Sequence, residues 1–170
     1  MSSWFMRHKS RYCGGGFTLI EVMVGVVLVG IAIVALLVAN GAFTQVNAAG
    51  IDISTAEFLI EQLRELTAAL PVVDPESGTG TFGPESGETS VANYDDLDDF
   101  HNAMISPPAD VTGAPLTEFA SFTQGVTVQN VSPTDFDVVV GQHGDFVRVT
   151  VSILRNGRAI SSASWIRARY

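Results

Sequence analysis

The chain has 170 residues, enough for one domain with an appendage, and 46% of them are apolar. Its formal charge of −9 reflects eighteen Asp or Glu against nine Lys or Arg, and so acidic a body repels phosphate backbones, which excludes general nucleic-acid binding. One cysteine, Cys13, precedes the main apolar run, so no intrachain disulfide can form.

From the N-terminus, Arg7, Lys9 and Arg11 give way to eighteen uncharged residues, Val22 to Ala39, "VMVGVVLVGIAIVALLVA". At 1.5 Å per residue a helix of this length covers roughly 27 Å, close to the thickness of bilayer hydrocarbon. Peptide groups in lipid must bond within their own segment, so the run is expected to be helical despite its β-branched residues. No Lys or Arg follows until Arg64, and the positive-inside rule therefore predicts a cytoplasmic N-terminus with the remainder across the membrane. A secretory signal peptide fits the basic start. The apolar core is long for one, however, and no A-x-A site closes it. Within this greasy stretch Glu21 is a lone carboxylate, and a buried unpaired charge is costly enough to need a reason.

"GFTLIEV" (16–22) ahead of a long apolar run resembles the leader of type IV prepilins, shared by type IV pilins and type II secretion pseudopilins. The likeness covers about residues 7–40. It implies cleavage between Gly16 and Phe17 by a prepilin peptidase that also methylates the new Phe17 amine. It further implies that Glu21 meets the terminal amine of a neighbouring subunit and sets axial register. Gly16 suits a scissile position because it lacks Cβ and lets a protease approach. The implied partners are the peptidase, other pilin or pseudopilin subunits, an inner-membrane assembly platform and the bilayer, with no cofactor. The implied location is the inner membrane with a periplasmic head, then a surface pilus or a periplasmic pseudopilus. The absence of a disulfide in the head favours a minor pilin. A type II secretion pseudopilin forming a periplasmic piston is the alternative, and a membrane-anchored enzyme or binding protein a remote one.

The fold expected is α+β: a long helical spine packed on a four-stranded antiparallel sheet, joined by a long acidic loop. Its parts are a leader at 1–16, a membrane or filament-core helix at 17–40, an amphipathic continuation at 41–70, the loop at 71–125 and the sheet at 126–170. Val46, Ala49, Ile53, Ala56, Ile60, Leu63 and Leu70 recur at helical spacing, with Glu57, Glu61, Arg64 and Glu65 on the opposite side. Pro71 ends the helix. Gly30 and the Asn40-Gly41 pair are its weak points, since Gly costs about 1 kcal/mol relative to Ala in a helix. Residues 71–125 carry ten acidic groups and no Lys or Arg, repeat "PESG" at 75–78 and 84–87, and are expected to be mobile over 74–92.

Beyond Gly125 the period becomes two. Strands are predicted at 126–131, 136–140, 146–154 and 158–168, with Asn156-Gly157 as a type I′ hairpin turn. Two-residue closure opposes Ile153 to Ile160, Val151 to Ser162, Val149 to Ser164 and Val147 to Ile166. It also places Arg148 beside Trp165 for a cation–π contact on the outer face, with the 71–125 loop expected to cover part of Trp165.

"DDLDDF" (95–100) concentrates charge in Asp95, Asp96, Asp98 and Asp99, and resembles an acidic signature of minor pilins of the mannose-sensitive haemagglutinin type. These carboxylates offer hard oxygen ligands to Ca²⁺ or a charged contact for another subunit. The simplest reading is a solvated turn whose Asp side chains cap backbone N–H groups. EF-hand spacing is absent, so no metal is assigned. His101 and His143 lack a companion ligand. Arg155, Arg158, Arg167 and Arg169 form either a docking patch or solvated strand-edge charge. No nucleophile, base and acid fall into a catalytic sequence context, so no catalytic residue is named.

Overall fold

The computed structural model describes residues 15–72, 83–141 and 145–169. The basic N-terminal residues through Gly14, the first "PESG" and His143 lie outside them. One helix, α1 (Leu19–Ala68), precedes four strands: β1 (Met104–Ile105), β2 (Phe122–Val131), β3 (Phe146–Arg155) and β4 (Arg158–Ala168). The chain divides into two compact units, residues 1–46 and 47–170.

In the first unit the helix begins where Thr18 caps it. The Thr18 carbonyl accepts from the amides of Glu21 (3.1 Å) and Val22 (3.2 Å), and its hydroxyl accepts from Glu21 N–H at 3.3 Å. Thr-Leu-Ile-Glu thus acts as an N-terminal helix signal, with the acidic residue in the first turn where the helix dipole favours it. The helix runs unbroken through Gly30, Asn40 and Gly41. Its apolar side chains point outward on every side and none of this stretch is buried. A helix apolar all round has water as its least favourable surroundings. It is also the one helix, among the described residues, long and apolar enough to cross a membrane.

The second unit owns the core. From α1 it takes Ala56, Leu59, Ile60, Leu63 and Thr67, spaced three and four apart. These meet the inner face of the sheet, Val126, Val128, Val147, Val149, Val151 and Ile153. The predicted stripe is therefore covered only from Ala56 onward, since Val46, Ala49 and Ile53 remain exposed. Glu57, Glu61, Arg64 and Glu65 lie on the exposed side as expected.

Strand order in the antiparallel sheet is β1-β2-β3-β4. The predicted strand at 136–140 is not one. That segment turns back over the end of β2, held by Val138 N–H to Asp135 O and by Asp135 Oδ1 accepting from Asp137 N–H at 3.0 Å. Its pairing with β2 is a single antiparallel bridge, Val139 to Val131, with Ser132 N–H donating to the Val138 carbonyl (2.9 Å) and Val140 N–H to the Asn130 carbonyl (3.0 Å), while Asp and Ser side chains satisfy nearby backbone in place of a longer ladder. The fourth strand is instead β1, drawn from the acidic loop and paired with Gly125 and Gln124 of β2.

The Asn156-Gly157 turn forms with both residues at positive φ (51° and 79°), as type I′ requires. Yet the register differs from that expected by one residue, because a bulge follows Ile153/Leu154. Ile153 faces Ser161, Val151 faces Ala163, Val149 faces Trp165 and Val147 faces Arg167. A one-residue slip exchanges the two faces of a strand. Trp165 consequently packs against the core, where the Arg64 guanidinium lies 5.7 Å from its ring centre. The predicted Arg148–Trp165 contact is absent. Arg148 instead donates to Gln129 Oε1 (3.0 Å) and the Phe136 carbonyl (3.2 Å).

Candidate functional site

Two places carry chemistry beyond packing, one in each unit. In the first, Gly15 to Thr18 are non-helical and exposed, and a Cβ built on Gly16 would meet nothing within 4 Å. The Gly16–Phe17 bond is thus open backbone directly ahead of a capped helix. Phe17 is 82% exposed. Glu21 stands exposed one turn in, and among the described residues no ion pair involves it.

In the second unit the acidic loop does not behave as a solvated turn. Asp96, Asp98 and Asp99 are buried at 0%, 2% and 0% exposure, while Asp95 stays outside. Leu97 and Phe100, both fully buried, draw them in. Tyr94 packs edge-on against Phe100, with ring centres 5.0 Å apart, and Leu97 N–H donates to the Pro71 carbonyl at 2.9 Å. The capping role expected for these acids is real nonetheless. Asp96 Oδ1 accepts from the amides of Asp98 (2.7 Å) and Asp99 (3.2 Å), while Asp99 Oδ2 accepts from those of Asp95 (3.1 Å) and Asp96 (3.3 Å). Asp96 and Asp99 each spend one oxygen on backbone. Asp96 Oδ2, Asp98 Oδ1 and Asp99 Oδ1 are left buried without a hydrogen-bond partner.

Burial is the first cause of raised acidity constants here, because it penalises the charged form. It and the neighbouring Asp96 carboxylate push Asp98 up to about 8. Burial, Asp96 and Glu88 push Asp99 up to about 7, and burial also raises Asp96 despite its backbone hydrogen bonds. The Tyr94 hydroxyl is raised too, by burial and then by Asp99. The only ion pairs made by Arg among the described residues go elsewhere, to Glu61, Asp137 and Asp52.

Two of the C-terminal arginines are engaged within the unit. Arg167 donates to the Thr67 carbonyl at 2.8 Å and the Leu70 carbonyl at 3.1 Å, while Arg155 pairs with Asp52. Of the four arginines, Arg158 is exposed and Arg155, Arg167 and Arg169 are half-buried. Nδ1 of His101 accepts from Val128 N–H at 3.3 Å, a structural role. A cavity of about 360 Å³ beside β1 is lined by Thr89, Tyr94, Met104 and Pro107 among others, with no carboxylate, imidazole or guanidinium among its described lining side chains.

Sequence reasoning missed Gln124. Fully buried, it donates through Nε2 to the Leu59 carbonyl (2.9 Å) and the Ala109 carbonyl (3.2 Å), and accepts from Ala109 N–H at 2.8 Å. Its one signal was a long polar residue at an inward position of an alternating strand. No protein-family model, no curated protein and no solved structure matches this chain.

Proposed function

We propose that this chain is a subunit of a type IV pilin-like filament, a minor pilin, cut between Gly16 and Phe17 and assembled through Glu21. The observation that carries the reading is the junction at 16–21. An exposed, non-helical Gly-Phe bond leads straight into a Thr18-capped helix whose apolar side chains are uncovered on all sides and whose one acid stands a turn inside. Such a helix needs lipid or other helices around it. Exchanging one for the other changes its hydrophobic environment little, so apolar burial gives assembly no register along the axis. A carboxylate supplies one. Moved from the membrane boundary into a packed helical core, Glu21 is costly unless a cation meets it. Removal of the leader creates such a cation, the α-amine of Phe17 on an adjoining subunit.

Mass spectrometry of the mature chain tests processing: the expected terminus is N-methylated Phe17, and a chain beginning at Met1 or near residue 40 refutes it. Glu21→Val is expected to be processed normally yet to fail to enter sheared filaments. Undiminished incorporation would exclude the register role.

A further inference from the structure

We propose that Asp96 and Asp99, with Asp95 at the solvent side, form a binding site for a single Ca²⁺-class divalent cation in the loop ahead of β1. The proposal goes beyond the filament reading and does not rest on it.

Three observations converge. The first is burial without compensation: residues 71–125 contain ten acidic groups and no Lys or Arg, and three of those acids are at least nine-tenths buried. The second is the open oxygens. Backbone amides fix one oxygen of Asp96 and one of Asp99, so these side chains are already oriented, and the remaining oxygen of each is buried with nothing to bond. A buried oxygen left unsatisfied is costly, and a buried carboxylate more so. The third is convergence. One carboxylate oxygen from each of Asp95, Asp96 and Asp99 lies within 4.8 Å of the other two. Oxygens around Ca²⁺ sit about 2.3–2.6 Å from the ion and hence no more than about 5 Å apart, so the three can share one ion. Hard-oxygen chemistry selects Ca²⁺ over softer transition metals, and the reluctance of Mg²⁺ to give up its waters disfavours it at a site of buried protein oxygens.

Glu85, Glu88 and Asp99 make a second convergent set that shares Asp99. The Asp95–Asp96–Asp99 set is preferred because Asp96 and Asp99 are both fully buried and oriented by backbone amides, whereas Glu85 and Glu88 are only half-buried. Glu88 Oε2 already accepts from Glu85 N–H at 2.7 Å.

The test uses the full-length protein in detergent micelles, freed of metal by chelator and then titrated with CaCl₂ at neutral pH and constant ionic strength. Calorimetry and thermal unfolding are the readouts. Ca²⁺ is expected to bind with one-to-one stoichiometry and to raise Tm by several degrees, because a ligand that binds only the folded state stabilises it. K⁺ is expected to do nothing and Mg²⁺ to act more weakly. Asp96→Asn keeps an oxygen to accept the two amides and so preserves the turn. It is expected to weaken Ca²⁺ binding at least tenfold, roughly what loss of one charged ligand does. Asp95→Asn, exposed and outside the packed knot, serves as the second variant and is expected to weaken binding without lowering the metal-free Tm. Glu88→Gln, at a residue that offers no ligand to this set, is expected to change binding far less than either Asp substitution. A wild-type Tm and heat signal indifferent to millimolar Ca²⁺ overturn the proposal. So does a Ca²⁺ response that survives Asp96→Asn and Asp95→Asn but is lost in Glu88→Gln.

Discussion

Gln124 joins three segments that are far apart in sequence: Leu59 on the helix, Ala109 in the acidic loop, and its own strand. Gln124→Leu keeps the volume but leaves the buried Ala109 N–H without an acceptor, a loss that typically costs about 1–3 kcal/mol. Urea denaturation is expected to show a lower midpoint with an unchanged slope; an unaltered midpoint would mean that the amide contributes no net stability. The buried acids make a second expectation at this scale. Burial, with Asp96 and Glu85 beside it, pushes Asp98 up to about 8, and burial, with Asp96 and Glu88 beside it, pushes Asp99 up to about 7. In the unfolded chain they ionise near 3.9. The folded state therefore holds protons that the unfolded state has released. As far as these groups are concerned, stability is greatest below about pH 4, falls as pH rises from there, and is fully lost once pH has passed through about 7 to 8. Tm measured against pH in chelator is expected to fall over that interval, and a flat profile would show that the carboxylates are solvated in solution.

Elements were legible where their cause is local. The Asn156-Gly157 hairpin follows from two residues that tolerate positive φ. The helical stripe from Ala56 follows from spacing. What misled lay in non-local balance. Counting outward from the turn put Ile160 opposite Ile153, but the bulge lets Trp165 reach the core and Arg167 reach the helix end, a preference no count along one strand contains. "FDVVV" alternates too little to distinguish a strand from an apolar turn, and Asp135 decided it. In "DDLDDF" the density of charge suggested solvent, while Leu97 and Phe100, three apart, were the residues that bury the loop. The last turn of α1 has no basic residue of its own, and Arg167 from β4 supplies the missing cation to its carbonyls. Positive charge at a helix C-terminus contributes about 0.3–1 kcal/mol, and up to about 2 when partly buried. Arg167→Met, which retains most of the apolar stem, is expected to lower stability by about 1–2 kcal/mol and to speed amide hydrogen exchange over residues 67–70 more than in β2. Equal acceleration everywhere would instead mean a global loss of packing.

At the scale of the whole molecule, the two units answer to different solvents. Every core residue lies at Ala56 or beyond, and the sheet, the acidic loop and Gln124 all belong to residues 47–170. Residues 19–46 bury nothing within the chain, so their apolar surface must find its partner in lipid or in other copies. Stability of the head is therefore expected to be independent of the N-terminal segment. A fragment beginning at Asn47 removes the apolar helix while keeping Asp52 for Arg155 and the whole buried stripe. It loses about eight helical turns that contribute no buried side chain, while the retained part of α1 is held by tertiary packing, which is what stabilises most helices in proteins. The fragment is expected to be soluble without detergent, monomeric by sedimentation, and to unfold in one cooperative transition within a few degrees of the full-length chain in micelles. Its loss of membrane association, read by flotation with vesicles, is expected to be complete. Aggregation of the fragment, or a Tm lower by more than about 10 °C, would mean that residues before Asn47 contribute to the folded head, contrary to the burial pattern.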